Sequence, residues 1–272
     1  MTMPIADGTE HIVDEVRFEV VDHVARVTID RPAVLNAVDK PTHDRLNDIW
    51  AAIEADPDVR VVVLTGGGER SFCVGADMSA AAIDKTGLEY WADLDPNGFG
   101  GLSLRTSLDV PVVARVNGYA LGGGMEMVLG CDIVVASEKA HFGLTEPRVG
   151  RLPLDGGIPN LVRRVPHTQA MGMLLTGRRV SAAEMHRIGL VNEVVAPEDL
   201  DAAVDAWVTD VLACAPPSLR AIKQMVQRTE HLTAKEANTV RLPAMTAALD
   251  SEDSREGVVA FQEKRPPRWA GR

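Results

Sequence analysis

Between residues 16 and 29 the sequence VRFEVVDHVARVTI alternates apolar and polar positions about the pair Asp22-His23. Alternation of this kind predicts a hairpin of half-exposed strands, closed by Arg31-Pro32. From Thr42 the apolar positions Leu46, Ile49, Trp50 and Ile53 change to helical spacing, and Asp56-Pro57 ends the segment. Residues 60–65, RVVVLT, form a continuous β-branched run that stops at Gly66-Gly67-Gly68, as a strand buried on both faces would. The same grammar returns at 111–117 (PVVARVN) and 132–136 (DIVVA), and between these two runs GGGMEMVLG reads as a glycine turn entering a short apolar helix. Strand, turn and helix in repetition predict an α/β fold with a parallel sheet and covering helices.

The rhythm breaks at residues 80–106, which are acidic, aromatic and glycine-rich; a long irregular stretch in a folded domain is more often functional than accidental. After about residue 157 the pattern is helical throughout. Ser181 with Glu184 predicts a capping box, and Gly189 stands where that helix should end. No repeat of 20 to 50 residues is detectable.

A chain of 272 residues with 46% apolar and 25% charged positions can bury one large core. Its formal net charge of -11 opposes nucleic acid and anionic membrane, so any anionic ligand has to be captured by local groups. The N-terminal MTMPIADGTEHIVDEV lacks a basic segment followed by an apolar one, and no run reaches the roughly 18 apolar residues of a membrane span. Cys73, Cys131 and Cys214 form no CxxC pair and no zinc spacing occurs, which points to reduced thiols, a cytoplasmic protein and no metal.

Two glycine turns are the first chemical candidates. VLTGGGERSFCVGAD (63–77) and VNGYALGGGMEM (116–127) each follow an apolar strand, and the second opens a helix. Glycine lets backbone N–H groups face a ligand, and two such turns side by side would make an oxyanion hole; alone, each is equally a tight turn. Neither fits a Walker loop, a GxGxxG or a GxSxG motif. Glu126 sits in the first turn of the apolar helix, and Glu146 precedes Pro147 in HFGLTEPRVG. A buried glutamate acquires the raised pKa that acid/base chemistry needs, yet each taken singly also reads as a helix-end charge or a loop residue. Asp77 is likewise a turn-stabilising or a catalytic candidate.

Taken together, RVTIDRPAVLNAVD (26–39), VVVLTGGGERSFCVGADM (61–78), PVVARVNGYALGGGMEMVLGCDIVVAS (111–137), FGLTEPRVGRLPLDGG (142–157) and LLTGRRVSAAEMHRIGLVNEVV (174–195) resemble the crotonase family, the enoyl-CoA hydratase/isomerase superfamily. The resemblance runs in order over nearly the whole chain. Within the family the tail SEDSREGVVAFQEKRPPRWAGR, TGRR (176–179) and GFGGL (98–102) are most similar to carnitinyl-CoA dehydratase-like members.

The resemblance implies a ClpP/crotonase-like fold, with repeated ββα units forming a spiral core over residues 1–200. Residues 201–272 would be a helical region for oligomerisation and CoA contacts. It places oxyanion donors at Ala76 and Gly123, and the acid/base pair at Glu126 and Glu146. Substrate and CoA contacts fall on Ala37, Val38, Ala76, Asp77, Met78, Gly122, Gly123 and Lys264, the lysine acting on the cofactor of a neighbouring subunit. The partners implied are an acyl-CoA substrate and copies of the chain in a homotrimer or dimer of trimers, with coenzyme A as part of the substrate and no permanent cofactor.

The activity implied is reversible syn hydration of a 2-enoyl-CoA, with carnitinyl-CoA dehydration, double-bond isomerisation or a non-catalytic acyl-CoA-binding subunit as alternatives. Two departures stand out: Leu154 replaces the glycine of the P-G-x-G-G turn, and Thr145 replaces the proline common before the second glutamate. Tyr90 and Trp91, with acidic neighbours, are candidates either for cation-π contact with a trimethylammonium acyl group or for aromatic packing of a lid.

Overall fold

The computed structural model describes residues 11–13, 15–79 and 86–272. Most of the N-terminal stretch read for targeting signals, and residues 80–85 of the irregular segment, lie outside the described residues. The predicted hairpin is β2 (Val16–Val21) and β3 (Val24–Ile29), with β1 (His11–Val13) antiparallel to β2. Asp22 and His23 both take positive φ, 48° and 69°, as a two-residue turn between twisted strands requires. Helix α1 (Lys40–Ala55) follows, its first turn capped by the Asp39 carboxylate accepting from the Thr42 N–H. It buries Leu46, Ile49, Trp50 and Ile53.

The repeating unit is then laid down in pairs of strands. β4 (Val61–Gly66) and β5 (Ser71–Cys73), β6 (Val112–Val116) and β7 (Tyr119–Leu121), and β8 (Ile133–Ser137) and β9 (His141–Gly143) each place their first strand in one sheet and their second in another. A short α2 (Gly87–Ala92) lies between the first two pairs and α3 (Gly123–Gly130) follows β7. Beyond β9 come α4 (Gly157–Arg164), α5 (His167–Thr176), β10 (Val180–Ser181), α6 (Ala182–Arg187) and β11 (Glu193–Val195). Helices α7 (Leu200–Leu212), α8 (Pro216–Thr229), α9 (Ala234–Ala237), α10 (Pro243–Leu249) and α11 (Glu252–Glu263) complete the chain.

The large sheet has the order β1-β2-β3-β4-β6-β8-β11, parallel from β3 onward, and the small one β10-β9-β7-β5. Alternate residues of the central strands serve two cores. Val62, Leu64, Ala114 and Val116 face the main core, whereas Val61, Val63, Val113 and Val135 meet Leu200, Val204 and Val208 of α7. Burial on both faces explains why these strands read as unbroken apolar runs.

The region after residue 157 is not helical throughout, because β10 and β11 close the edges of the two sheets. The expected capping box is half made. Ser181 Oγ accepts from the Glu184 N–H at 3.3 Å, but the Glu184 side chain turns to Arg187 instead. Gly189, at φ 91°, does end that turn. Of the thiols, Cys73 and Cys131 are buried and Cys214 is exposed.

Candidate active site

The two glycine turns meet. A Cβ on Gly75, which has φ 97°, would lie 3.1 Å from the Gly123 nitrogen and 3.2 Å from the Leu121 oxygen, so the strands' ends touch backbone to backbone. The first turn is held from beneath by two buried asparagines. Asn36 Nδ2 donates to the Gly67 and Ser71 carbonyls at 3.0 and 2.8 Å, and Asn117 Nδ2 donates to Gly66, Gly68 and Ser71 at 3.0, 2.7 and 3.0 Å. Val38 then bridges to Ala76: its N–H donates to the Gly75 oxygen, and its own oxygen accepts from the Asp77 N–H. Among the described residues no acceptor takes the N–H of Ala76 or of Gly123. Both groups remain available where the turns converge.

The second turn is fixed by packing. Gly122, at φ 55°, donates its N–H to the Gly143 carbonyl, and a Cβ on Gly123 would come within 2.6 Å of the Phe99 ring. Phe99 belongs to the GFGG turn, where Gly98, Gly100 and Gly101 all have positive φ and Trp50 Nε1 donates to the Gly100 oxygen at 2.7 Å. Helix α3 therefore starts on a platform that admits no side chain. Its far end is closed by Arg164, whose Nη1 donates to the carbonyls of Leu129 and Cys131 at 2.8 Å each.

Both glutamates lie against these turns. Glu126 is 3% exposed, and its Oε1 accepts from the Gly157 N–H at 2.9 Å. Burial, reinforced by the charges of Asp155 and Glu146, pushes its carboxyl up to about 8. Glu146 is half-buried; a Cβ on Gly122 would sit 3.4 Å from its Oε1, and its Oε2 is buried with no partner. Desolvation raises this carboxyl also, aided by Asp155. Two desolvated carboxyls, with no ion pair to either among the described residues, can hold and pass a proton next to a pair of outward N–H groups.

The remaining predicted residues are distributed differently. Ala37 and Val38 are buried beside Ala76, and the Ala37 carbonyl accepts from Arg31 Nη1 at 2.6 Å. Asp77 behaves as a turn residue. Its Oδ1 takes the Ser79 N–H, Arg31 lies 3.3 Å from its Oδ2, and these contacts, the Ser79 bond foremost, hold it below the usual carboxylate range. Met78 is exposed.

Lys264 is the exposed, left-handed C-cap of α11. The tail around it is a strap rather than a loose basic end. Arg265 is held by Glu256 and Glu263, while Asp253, 1% exposed, accepts from the N–H groups of Ala270 and Gly271. Leu154 is half-buried in the turn preceding Glu126's donor.

One participant, Asp155, escaped the sequence. Asp155, beside Leu154, is 4% exposed and accepts from the Tyr90 hydroxyl at 2.5 Å, so Tyr90 is neither a free lid aromatic nor simply packed. Its signal was slight, since aspartate before two glycines reads as a turn. Trp91 stays exposed.

Strand pairs divided between two sheets, with covering helices, give this chain the α/β fold of the crotonases. The enoyl-CoA hydratase/isomerase family model matches residues 19–272, and the chain belongs to that family. It is 38% identical over 258 residues to (E)-benzylidenesuccinyl-CoA hydratase of Thauera aromatica, covering 94% of this chain and 99% of that one. It is 37% identical over 253 residues to carnitinyl-CoA dehydratase of Proteus mirabilis, covering 92% and 95% respectively. Among solved structures, an enoyl-CoA hydratase from Mycobacterium tuberculosis superposes with a TM-score of 0.86 at 31% identity, over 95% of this chain and 99% of that one.

Proposed function

We propose that the chain catalyses reversible syn hydration of a 2-enoyl-CoA thioester. The observation that carries this reading is the convergence of two desolvated, unpaired carboxyls, Glu126 and Glu146, on the turn that presents the Gly123 N–H. The thioester carbonyl accepts from Ala76 and Gly123, where each preorganised donor is worth on the order of 3 kcal/mol as charge develops on oxygen. Glu126 holds or deprotonates the water and Glu146 exchanges the proton at the α-carbon, one proton being shared between the two carboxyls. The CoA portion runs past Ala37, Val38, Asp77 and Met78, and Lys264 of a neighbouring copy meets its phosphorylated end. The helices after residue 200 supply the contacts of a trimer or dimer of trimers.

Retention of both carboxyls argues against an isomerase relying on one, and against a non-catalytic acyl-CoA-binding subunit. A second reading is hydration or dehydration of an acyl group bearing a trimethylammonium. It is supported by Tyr90 and the three carboxyl groups of the site, none of which has an ion pair among the described residues, and by the identity to a carnitinyl-CoA dehydratase. The test is a panel of enoyl-CoA esters of several chain lengths, with crotonobetainyl-CoA included, followed by loss of enoyl absorbance and identification of the 3-hydroxyacyl product. Glu146→Gln should lower kcat about 100-fold or more; a rate within a few-fold of wild type would remove Glu146 from the mechanism.

A further inference from the structure

Three carboxyl groups share the cleft, and the mechanism above uses two. The third, Asp155, is as deeply buried as Glu126, at 4% against 3% exposure. None of the three has a lysine or arginine partner among the described residues. Three full negative charges in a desolvated cleft are mutually costly, so the set has to retain protons. The three differ in what donates to them. Glu146 Oε2 has no partner, and Glu126 takes backbone N–H groups of the 155–157 turn. Asp155 receives a hydroxyl, that of Tyr90. Burial raises the Asp155 carboxyl as well, but the Tyr90 hydroxyl and then the His43 charge oppose that rise, so its ionised form has a side-chain donor that neither glutamate has, and the proton is left to the glutamates.

We propose that Tyr90 and Asp155 are a positioning pair which holds an anion beside Glu126 and Glu146 and thereby keeps a proton on those two glutamates while α2 is docked. Hydration needs one acid and one base at the same moment, so the glutamate pair has to carry one proton; this inference rests on that reaction. The groups facing Asp155 come from every neighbouring element: Tyr90 from α2, Glu126 from α3, Glu146 from the turn after β9, and His43 with Asp95 from α1 and the loop after α2. Asp95 and His43 are bonded to each other at 2.9 Å, which leaves Tyr90 as the donor to the Asp155 carboxylate. Of the charges acting on Glu126, Asp155 acts more strongly than Glu146. Tyr90 stands on a helix fixed by a complete capping box between Thr86 and Glu89, so docking of α2 and the charge on Asp155 are linked.

The experiment follows the protonated carboxyl of the unliganded protein by infrared absorption against pH, using Glu126→Gln to assign the band, beside the pH profile of kcat/KM for enoyl-CoA hydration. The wild-type band should titrate near pH 8. Asp155→Asn should move that midpoint, and the matching limb of the profile, down by about one pH unit or more. Tyr90→Phe should move both the same way by less, because a carboxyl without its hydroxyl donor takes up a proton more readily. Asp155→Glu should restore them. The inference is overturned if both midpoints stay in place, or if the variants lose rate with an unchanged pH profile, as a purely structural role predicts. Should Asp155→Asn not fold, Tyr90→Phe decides alone. A wild-type protein that hydrates no enoyl-CoA refutes the proposed reaction, while the infrared titration still tests the pair.

Discussion

Replacing Glu126 by glutamine should stabilise the protein while abolishing most of its turnover, and the stabilisation should depend on pH in a defined direction. The carboxyl titrates near 4.5 when exposed and is pushed up to about 8 in the fold by burial, then by Asp155 and Glu146. Between those values the folded chain binds a proton that the unfolded chain has released, so stability falls as pH rises. Whatever the neutral carboxyl contributes is fully present below about pH 4.5 and is lost as pH rises through about 8. Each pH unit in that window weighs about 1.4 kcal/mol. With the group only 3% exposed, little solvent screening is expected. Because Asp155 and Glu146 titrate with it, roughly 3 to 5 kcal/mol is the expected total. Glutamine keeps an oxygen for the Gly157 N–H and cannot ionise. Urea denaturation at pH 5, 7 and 9, at one fixed protomer concentration, should therefore give a variant-minus-wild-type difference that grows by that amount. kcat should fall about 100-fold or more. A difference that stays level within about 0.5 kcal/mol across the three pH values refutes the burial argument, whatever happens to kcat.

Gly123→Ala should drive a methyl into the Phe99 ring, which a Cβ would approach to 2.6 Å, and cost about 1 to 3 kcal/mol of stability by thermal denaturation; an unchanged Tm would show that α3 has room to shift. Lys264→Ala should raise KM for a CoA thioester by roughly 5- to 30-fold, as for losing one exposed phosphate contact, leaving a pantetheine thioester unaffected; equal impairment on both would return the residue to a structural end. The chain should behave as a trimer or hexamer by light scattering at micromolar concentration, because Ile222, Val226, Leu249 and Phe261 of the last helices are 60, 62, 79 and 85% exposed. A monomer would contradict this.

The elements legible in the sequence were those whose burial is uniform along the segment. RVVVLT and DIVVA lie between two cores and could hardly be anything but central strands, and Leu46, Ile49, Trp50 and Ile53 face one core at helical spacing. What failed was short or long-range. Strands β10 and β11, of two and three residues, expose no period and exist because β9 and β8 offer edges. Helical spacing around α10 does not tell that Leu242 and Met245 are half-buried and Leu249 exposed, nor that Ile222 and Val226 on α8 are exposed. The two glutamates gained meaning only as part of an ordered set of motifs. Asp155 gained none, because its partner Tyr90 lies 65 residues away and neither residue type is unusual where it stands.

The absence of a lysine or arginine among these three carboxyls, within the described residues, has its own logic on the proposed reaction. A cation next to Glu126 or Glu146 would hold it ionised and remove the acid that the α-carbon requires. Charge arising on the thioester oxygen is met instead by N–H dipoles at Ala76 and Gly123, which stabilise an oxyanion without adding a full positive charge to the cleft. Such donors can approach only where side chains are missing, hence Gly75, Gly122 and Gly123 at the contact of the two turns. The phosphate charges of a CoA ester still need cations, and these have to stand where they cannot reach the glutamates. In the tail, Arg265 is taken up by Glu256 and Glu263, and Arg272 faces Glu252 at 3.6 Å. Lys264, at the exposed end of α11, and Arg268 have no side-chain ion pair among the described residues, so on that reaction they are the tail cations that would answer a phosphate. On the proposed reaction, separating the cations from the carboxyls along the chain would let one acidic protein attract an anionic substrate and still keep a proton on its glutamates.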